Sequence, residues 1–444
     1  MNLEMKISVE RRVSELTEEE RVHLLERRPT EEAQLQDAVR RILARVRKEG
    51  DAVLFEMARE FDGVDLEALE ISPERWESAR DGLDPEIRRA LERSARNIRD
   101  FHEAQMPEEV VREVEAGVRV GRRAVPLSVV GVYAPGGRAA YPSSVLMGVV
   151  PARAAGVDEV VVCSPPGPSG EPPPEVLAAC AIAGASRLFA LGGAGAVGAL
   201  SYGTESVPRV DAVVGPGNRW VTEAKRQVAG EVRIDSPAGP SEVLVVAAPG
   251  SDPGRVAGEL VAQAEHDPDA PVAVVTWDPA LLDRIRTELA RQVAATPRRE
   301  VVEMALRRCG ALLLADDREE ALEFAEAYAA EHLALFTDDP HRDLETQTNA
   351  GTVFLGEDST VAFGDYMTGA NHVLPTSGRA RSFSGLSVME FLRFFTWQEV
   401  TPSGAAALAA DVNRLAEAEG LPAHAAAARA RAGGKGQRDA ERAR

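Results

Sequence analysis

Apolar positions recur along the chain in distinct textures. From 29 to about 105 they return at three- and four-residue spacing, as at Val39, Ile42, Leu43 and Val46, which predicts helices. Val110–Val120 alternates as a strand does and leads into a new region. From about 126, short runs rich in β-branched residues alternate with helical segments. Val129–Tyr133, Glu159–Cys163, Leu188–Leu191 and Ala212–Val214 read as strands, with helices near 143–155, 174–184 and 194–201. A second series places strands at Val243–Ala247, Val272–Thr276, Ala311–Leu314 and Thr352–Leu355, and helices at 253–266, 279–292 and 317–329. Beyond about 382 the pattern is helical again, over Gly404–Gly420 and Ala423–Ala432.

Such alternation builds parallel sheets flanked by helices, with loops at the carboxyl ends of the strands. The expected fold class is α/β, with two units in tandem. The Pro/Gly-rich Ser164–Pro174 is a surface loop rather than a linker, because the α/β pattern resumes after it. Residues 1–28 are charged and helix-prone, an arm too polar to fold alone. The Ala/Arg/Gly-rich Arg429–Arg444 reads as a solvated tail.

A length of 444 residues implies two to four domains. The net charge of −20 repels polyanions, so neither nucleic acid nor an anionic membrane is an expected partner. No apolar run reaches the ~20 residues of a bilayer span, and the N-terminus lacks a signal-peptide pattern. Cys163, Cys180 and Cys309 are too scattered for a disulfide scaffold or a thiolate zinc site. A cytoplasmic location is expected, and any metal should be held by N and O ligands.

Histidine is scarce, and four of the seven sit among other ligand-type residues: Gln263-Ala264-Glu265-His266, Glu331-His332, Asp365-Tyr366…His372 and Glu419…His424. Imidazole ligates borderline metals and moves protons near pH 7, so the gathering points to a metal-assisted enzyme. Ser251-Asp252-Pro253 starts a helix that puts Gln263 and His266 on one face near its end. The bland alternative is a polar helix end facing solvent. Glu331-His332 lies where a helix meets a strand, opposite the usual catalytic loops, and suits two proton-handling roles. Gly364–Thr376 carries turn signals without periodicity, as functional loops do, with Asp365 an oxygen ligand and His372 a substrate contact. Glu419…His424 taken alone reads as tail. Gly193-Ala194-Gly195-Ala196-Val197-Gly198 fits a dinucleotide fingerprint, yet no clear acidic residue follows a second strand at the required distance. Gly215-Pro216-Gly217-Asn218 is another loop where backbone approaches a ligand closely.

In order along residues 30 to 428, the motifs Val132-Tyr133-Ala134-Pro135-Gly136-Gly137, Gly215-Pro216-Gly217-Asn218, Ala238-Gly239-Pro240-Ser241-Glu242, Gln263-Ala264-Glu265-His266, Glu331-His332-Leu333, Gly364–Thr376 and Glu419…His424 resemble those of the histidinol dehydrogenase family. The resemblance implies two incomplete Rossmann-like domains with small helical pieces at the two ends. One domain would comprise 29–124 and 236–381, the other 125–235, with a helical arm over 1–28, a C-terminal helical domain over 382–428 and the tail at 429–444.

It implies one zinc ion per subunit on Gln263, His266, Asp365 and His424, the last donated across a homodimer with shared active sites. Ser241, His372 and Glu419 would join the metal ligands and His332 around L-histidinol, and Tyr133, position 195 and Asn218 would contact NAD. His332 would take the hydroxyl proton as hydride leaves for NAD, and Glu331 would activate water for a second oxidation. Two departures from the family pattern bear on the site. Ala330 stands where Pro usually precedes Glu-His, loosening that turn, and Gly195 replaces a cofactor-contacting Gln. The open alternatives are a paralogous NAD-dependent dehydrogenase of another small polar alcohol, a zinc hydrolase and a non-catalytic metal-binding protein.

Overall fold

The computed structural model describes residues 6–27, 33–136, 140–236 and 239–432. Gly137 and Ala238 of the motifs, and residues 433–444 of the tail, lie outside these. Two units are distinguished, Met1–Gln105 with Leu127–Phe391, and Met106–Pro126 with Leu392–Arg444.

The larger unit contains two six-stranded sheets. The first runs, in spatial order, Val9–Arg12, Gly310–Leu314, Val272–Thr276, Val243–Ala247, His332–Phe336 and Thr352–Leu355, with every pairing parallel. Its central strands are buried throughout, because helices cover both faces, as their unbroken apolar sequences require. The second sheet runs Glu70–Ile71, Arg187–Ala190, Glu159–Ser164, Val129–Tyr133, Ala212–Val214 and Arg233–Ile234, parallel except for its first edge.

The expected strands and helices of both series are present within a few residues. The grouping of the N-terminal third differs from the expectation. Val9–Arg12 pairs in the first sheet, so residues 1–28 are not a purely helical arm. Helices Ala33–Glu49 and Asp51–Met57 share one core with the second sheet through Val39, Leu43, Val46, Leu54, Phe189 and Val213, instead of grouping with 236–381. The apolar stripe of Ala33–Glu49 is the cause, because it packs where the glycines of helix Gly193–Tyr202 let it approach. A Cβ at Gly198 would stand 3.1 Å from Leu43 Cδ2. The Gly193–Gly198 run therefore serves helix packing.

In the smaller unit, Leu392–Val400, Val118–Pro126 and Val110–Glu115 form an antiparallel sheet, followed by helices Pro402–Ala418 and Pro422–Ala432. The 382–428 segment is thus not wholly helical; Leu392–Val400 finds its partner in a strand distant in sequence. No helix among the described residues is long and apolar enough to cross a membrane.

Candidate active site

Strand His332–Phe336 begins level with Val243 and Thr352, so Ser241, Glu331 and His332 stand at the amino edge of the first sheet. Helix Pro253–Ala264, started by Asp252 accepting from the Gly254 and Arg255 N–H groups, delivers Gln263 to the same edge. The preference of open α/β sheets for sites at carboxyl ends therefore does not hold here, because these groups occupy the returns into the strands.

Glu242 organises this edge. It is wholly buried, and its peptide N–H donates to Glu331 Oε2 (2.7 Å) while its carbonyl accepts from His332 Nδ1 (2.9 Å). Its carboxylate accepts from the Glu331 N–H (3.2 Å), the Ser377 N–H (3.2 Å) and Arg27 Nε and Nη2 (2.8 and 2.9 Å). Arg27 also stacks on Tyr328, its guanidinium 3.6 Å from the ring centroid. Donation from Nδ1 leaves His332 Nε2 with its lone pair, 3.9 Å from Asp365 Oδ1. Ser241 Oγ lies 3.4 Å from Glu331 Oε1. In the sequence Glu242 stood out only as the last member of the Ala238–Glu242 motif, an acid placed directly before the apolar strand Val243–Ala247, and nothing pointed to Arg27.

Burial dominates the electrostatics. It raises Glu331 well above the ordinary carboxylate range, with the charge on Glu242 adding to the effect. It lowers His332 to about 4, helped by repulsion from His372 and His266, so that His332 is neutral near pH 7. His372 is likewise pushed down to about 4 by burial, and Asp365 is raised to about 7 by burial and the nearby Glu259. These mutual influences gather Glu331, His332, His266, Asp365 and His372 in one locality.

Gly364–Thr376 is less irregular than expected, since Asp365 lies on a short helix, Val361–Tyr366. Thr360 caps that helix, and Glu259 Oε2 accepts from the Val361 N–H at 3.1 Å. Glu259 is one turn before Gln263, so it ties the helices carrying Gln263 and Asp365 together. The following loop is pinned by Ser94 Oγ donating to the Tyr366 carbonyl, Asn97 Nδ2 to Met367 and Asn371 Nδ2 to Met147 (2.6, 2.6 and 2.8 Å). A cavity of about 370 Å³ opens here, lined in part by His332, Asp365, Asn371 and His372. The turn at Ala330 is held by the Gly351 N–H donating to the Ala330 carbonyl (2.8 Å), so the missing Pro leaves it supported.

Not every expected residue is enclosed with these. His266 is exposed, and Glu419 and His424 are exposed on the smaller unit. Among the described residues, no group of three or more His, Cys, Asp or Glu side chains is arranged to hold a metal ion.

The remaining candidates stand at the carboxyl edge of the second sheet. Tyr133 ends its strand with its ring in the core and its hydroxyl accepting from the Gly193 N–H (3.2 Å). Asn218 caps helix Arg219–Val228 by accepting from the Trp220 and Val221 N–H groups (2.9 and 3.3 Å). Gly195 lies in helix Gly193–Tyr202. It is buried in its helix, and a Cβ there would point at Met57 Sδ, 3.1 Å away, and Leu54.

Comparison with known proteins decides what this arrangement belongs to. The family profile described as histidinol dehydrogenase matches residues 25–432. The chain belongs to the histidinol dehydrogenase family. It is 45% identical over 430 residues to a histidinol dehydrogenase of Methanosarcina mazei, covering 97% of this chain and 99% of that protein. It is 50% identical over 417 residues to one of Natronomonas pharaonis, covering 93% and 97%. The crystal structure of histidinol dehydrogenase from Elizabethkingia anophelis superposes with a TM-score of 0.91 at 34% identity, covering 96% of this chain and 98% of that one. Membership of this histidinol dehydrogenase family makes the protein an oxidoreductase, and the hydrolase and non-catalytic readings fall.

Proposed function

We propose that the protein oxidises L-histidinol to L-histidine through L-histidinal, using NAD and one zinc ion per subunit, in the last steps of histidine synthesis. The observation that carries this reading is the Glu242 clamp: one buried residue holds the ring of His332 by its carbonyl and the carboxyl of Glu331 by its N–H.

Gln263, His266, Asp365 and His424 are the proposed zinc ligands, an N/O set suited to a borderline cation. Two buried atoms of this locality, Gln263 Nε2 and His372 Nε2, have no hydrogen-bond partner among the described residues, which fits a site that a bound ligand completes. The fourth ligand would come from the other subunit of a homodimer. In support, the smaller unit that carries Glu419 and His424 leaves Val114 and Leu415 59% and 66% exposed. Bound there, zinc would serve as a template for the imidazole and amine of histidinol. NAD, bound at the loops bearing Tyr133 and Asn218, would accept hydride.

The chain's own residues then divide the proton work. His332 Nε2, kept unprotonated by burial and by the Nδ1 hydrogen bond, receives the hydroxyl proton of the alcohol. Ser241, His372 and Glu419 orient the substrate. Glu331, held between Glu242 and Ser241, takes a proton from the water that adds to the aldehyde. The raised pKa of Glu331 makes its ionised carboxylate a stronger base than an ordinary one. The case for another alcohol rested on Gly195, and that position faces Met57.

The test is to count NADH formed per L-histidinol consumed, with and without chelator. Two NADH per histidinol, abolished by chelation and restored by zinc, are expected. No NADH from protein loaded with zinc would overturn the substrate assignment.

A further inference from the structure

One buried ion pair in the second sheet takes no part in the chemistry above. Lys225, on helix Arg219–Val228, and Asp235, just past strand Arg233–Ile234, form an ion pair with side chains 3% and 2% exposed. Buried pairs seldom stabilise more than apolar residues of the same volume, so this one invites a positional explanation. Both of its members bind the same residue. Lys225 Nζ donates to the Gly215 carbonyl (2.9 Å), and the Gly215 N–H donates to Asp235 Oδ2 (2.7 Å).

Gly215 needs holding. Its φ is +113°, and a Cβ would lie 2.1 Å from the Tyr133 carbonyl oxygen, so only glycine fits against the end of the neighbouring strand. Pro216, Gly217 and the helix cap Asn218 follow at once. The loop that leaves the carboxyl edge is therefore anchored at its root by opposite charges on the two polar groups of a single residue.

We propose that Lys225 and Asp235 are positioning residues for the NAD site, fixing Gly215 so that Gly217 and Asn218 are presented before the cofactor arrives. The proposal rests on the reading of residues 215–218 as part of that site. A loop ordered in advance spares the ordering cost on binding.

Replacing one partner alone would strand a buried charge, so the test uses Lys225→Met together with Asp235→Leu. NAD is titrated into the zinc-loaded protein by tryptophan fluorescence, to which Trp220 beside the loop contributes, and the steady-state constants are measured in parallel. Expected is a rise of about tenfold or more in Kd and KM for NAD, with KM for histidinol within about twofold, as loss of preorganisation at one subsite implies. NAD constants unchanged in a cooperatively melting variant would overturn the proposal and leave the cofactor reading intact. Should the variant not fold, amide exchange in the unaltered protein decides. A Gly215 amide as protected as the strand interior without NAD supports the brace; exchange at open-loop rates until NAD is added refutes it. Failure of the unaltered protein to bind NAD would overturn the cofactor reading and the proposal together.

Discussion

The two sheets of the larger unit share an architecture, and the candidate residues stand at opposite edges of them. The amino edge of the first is crowded with titratable side chains, buried Glu242, Glu331 and His332 among them, and burial there raises the pKa of Glu331 and lowers that of His332. The carboxyl edge of the second offers backbone: Gly215 at φ +113°, the Gly193 N–H on Tyr133, and the Asn218 cap. On the proposed function, the first edge holds and moves protons, whereas the second lets a large ligand approach main chain. Architecture alone therefore does not say which end of a sheet works. What decides is where charged side chains are held in place and where the chain is left bare.

Breaking the proton edge should have the largest effect. Glu331→Gln should lower the oxidation of histidinal by about 10²–10⁴-fold, the usual contribution of a positioned base, while the first hydride step suffers less. Because the Glu331 pKa is raised by burial and by Glu242, the base form exists only above that value. Aldehyde oxidation should thus fall as pH drops through a midpoint well above 4.5, and this limb should vanish in the variant. A pH–rate profile with histidinal as substrate checks both.

Arg27→Ala strands the Glu242 carboxylate, which has no exposure of its own. Removing one partner of a buried pair costs about 3–5 kcal/mol, read as a lower denaturation midpoint. An unchanged midpoint would mean that the clamp stands without its N-terminal partner.

The carboxyl edge is sharpened by smaller effects. Gly195→Gln places a side chain against Met57 and should cost about 1–3 kcal/mol by overpacking, without tightening NAD. Tighter NAD binding at full stability would return position 195 to the cofactor site. Asn218→Ala should lose about 1 kcal/mol of helix capping and weaken NAD, measured by melting and by titration.

Much of this was legible in the chain. Strands such as Val243–Ala247 and Val272–Thr276 announce themselves, because residues buried on both faces leave unbroken β-branched runs. The candidate site was found through histidines beside Gln, Asp and Glu, and through family motifs. Pairings between distant segments were not legible. Val9–Arg12 is a charged tetrapeptide that becomes a strand only because Gly310–Leu314 leaves an edge open. Leu392–Val400 likewise depends on Val118–Pro126. Helices Arg219–Val228 and Arg299–Cys309 are absent from the expected elements although their buried positions recur at helical spacing, as at Val221, Ala224 and Val228 and at Val302, Ala305 and Leu306. Arg27 and Glu259 bind partners remote in sequence, Glu242 and Val361, and so gave no local signal.

The division of labour between the two edges is tested most directly by binding, apart from turnover. NAD and L-histidinol should be titrated separately into the protein before and after chelation, with the fold monitored by melting. NAD affinity is predicted to survive metal removal within about twofold while histidinol affinity collapses, since the two ligands meet different sheets. Loss of NAD binding on chelation of a still-folded protein, or histidinol binding indifferent to it, would contradict the account.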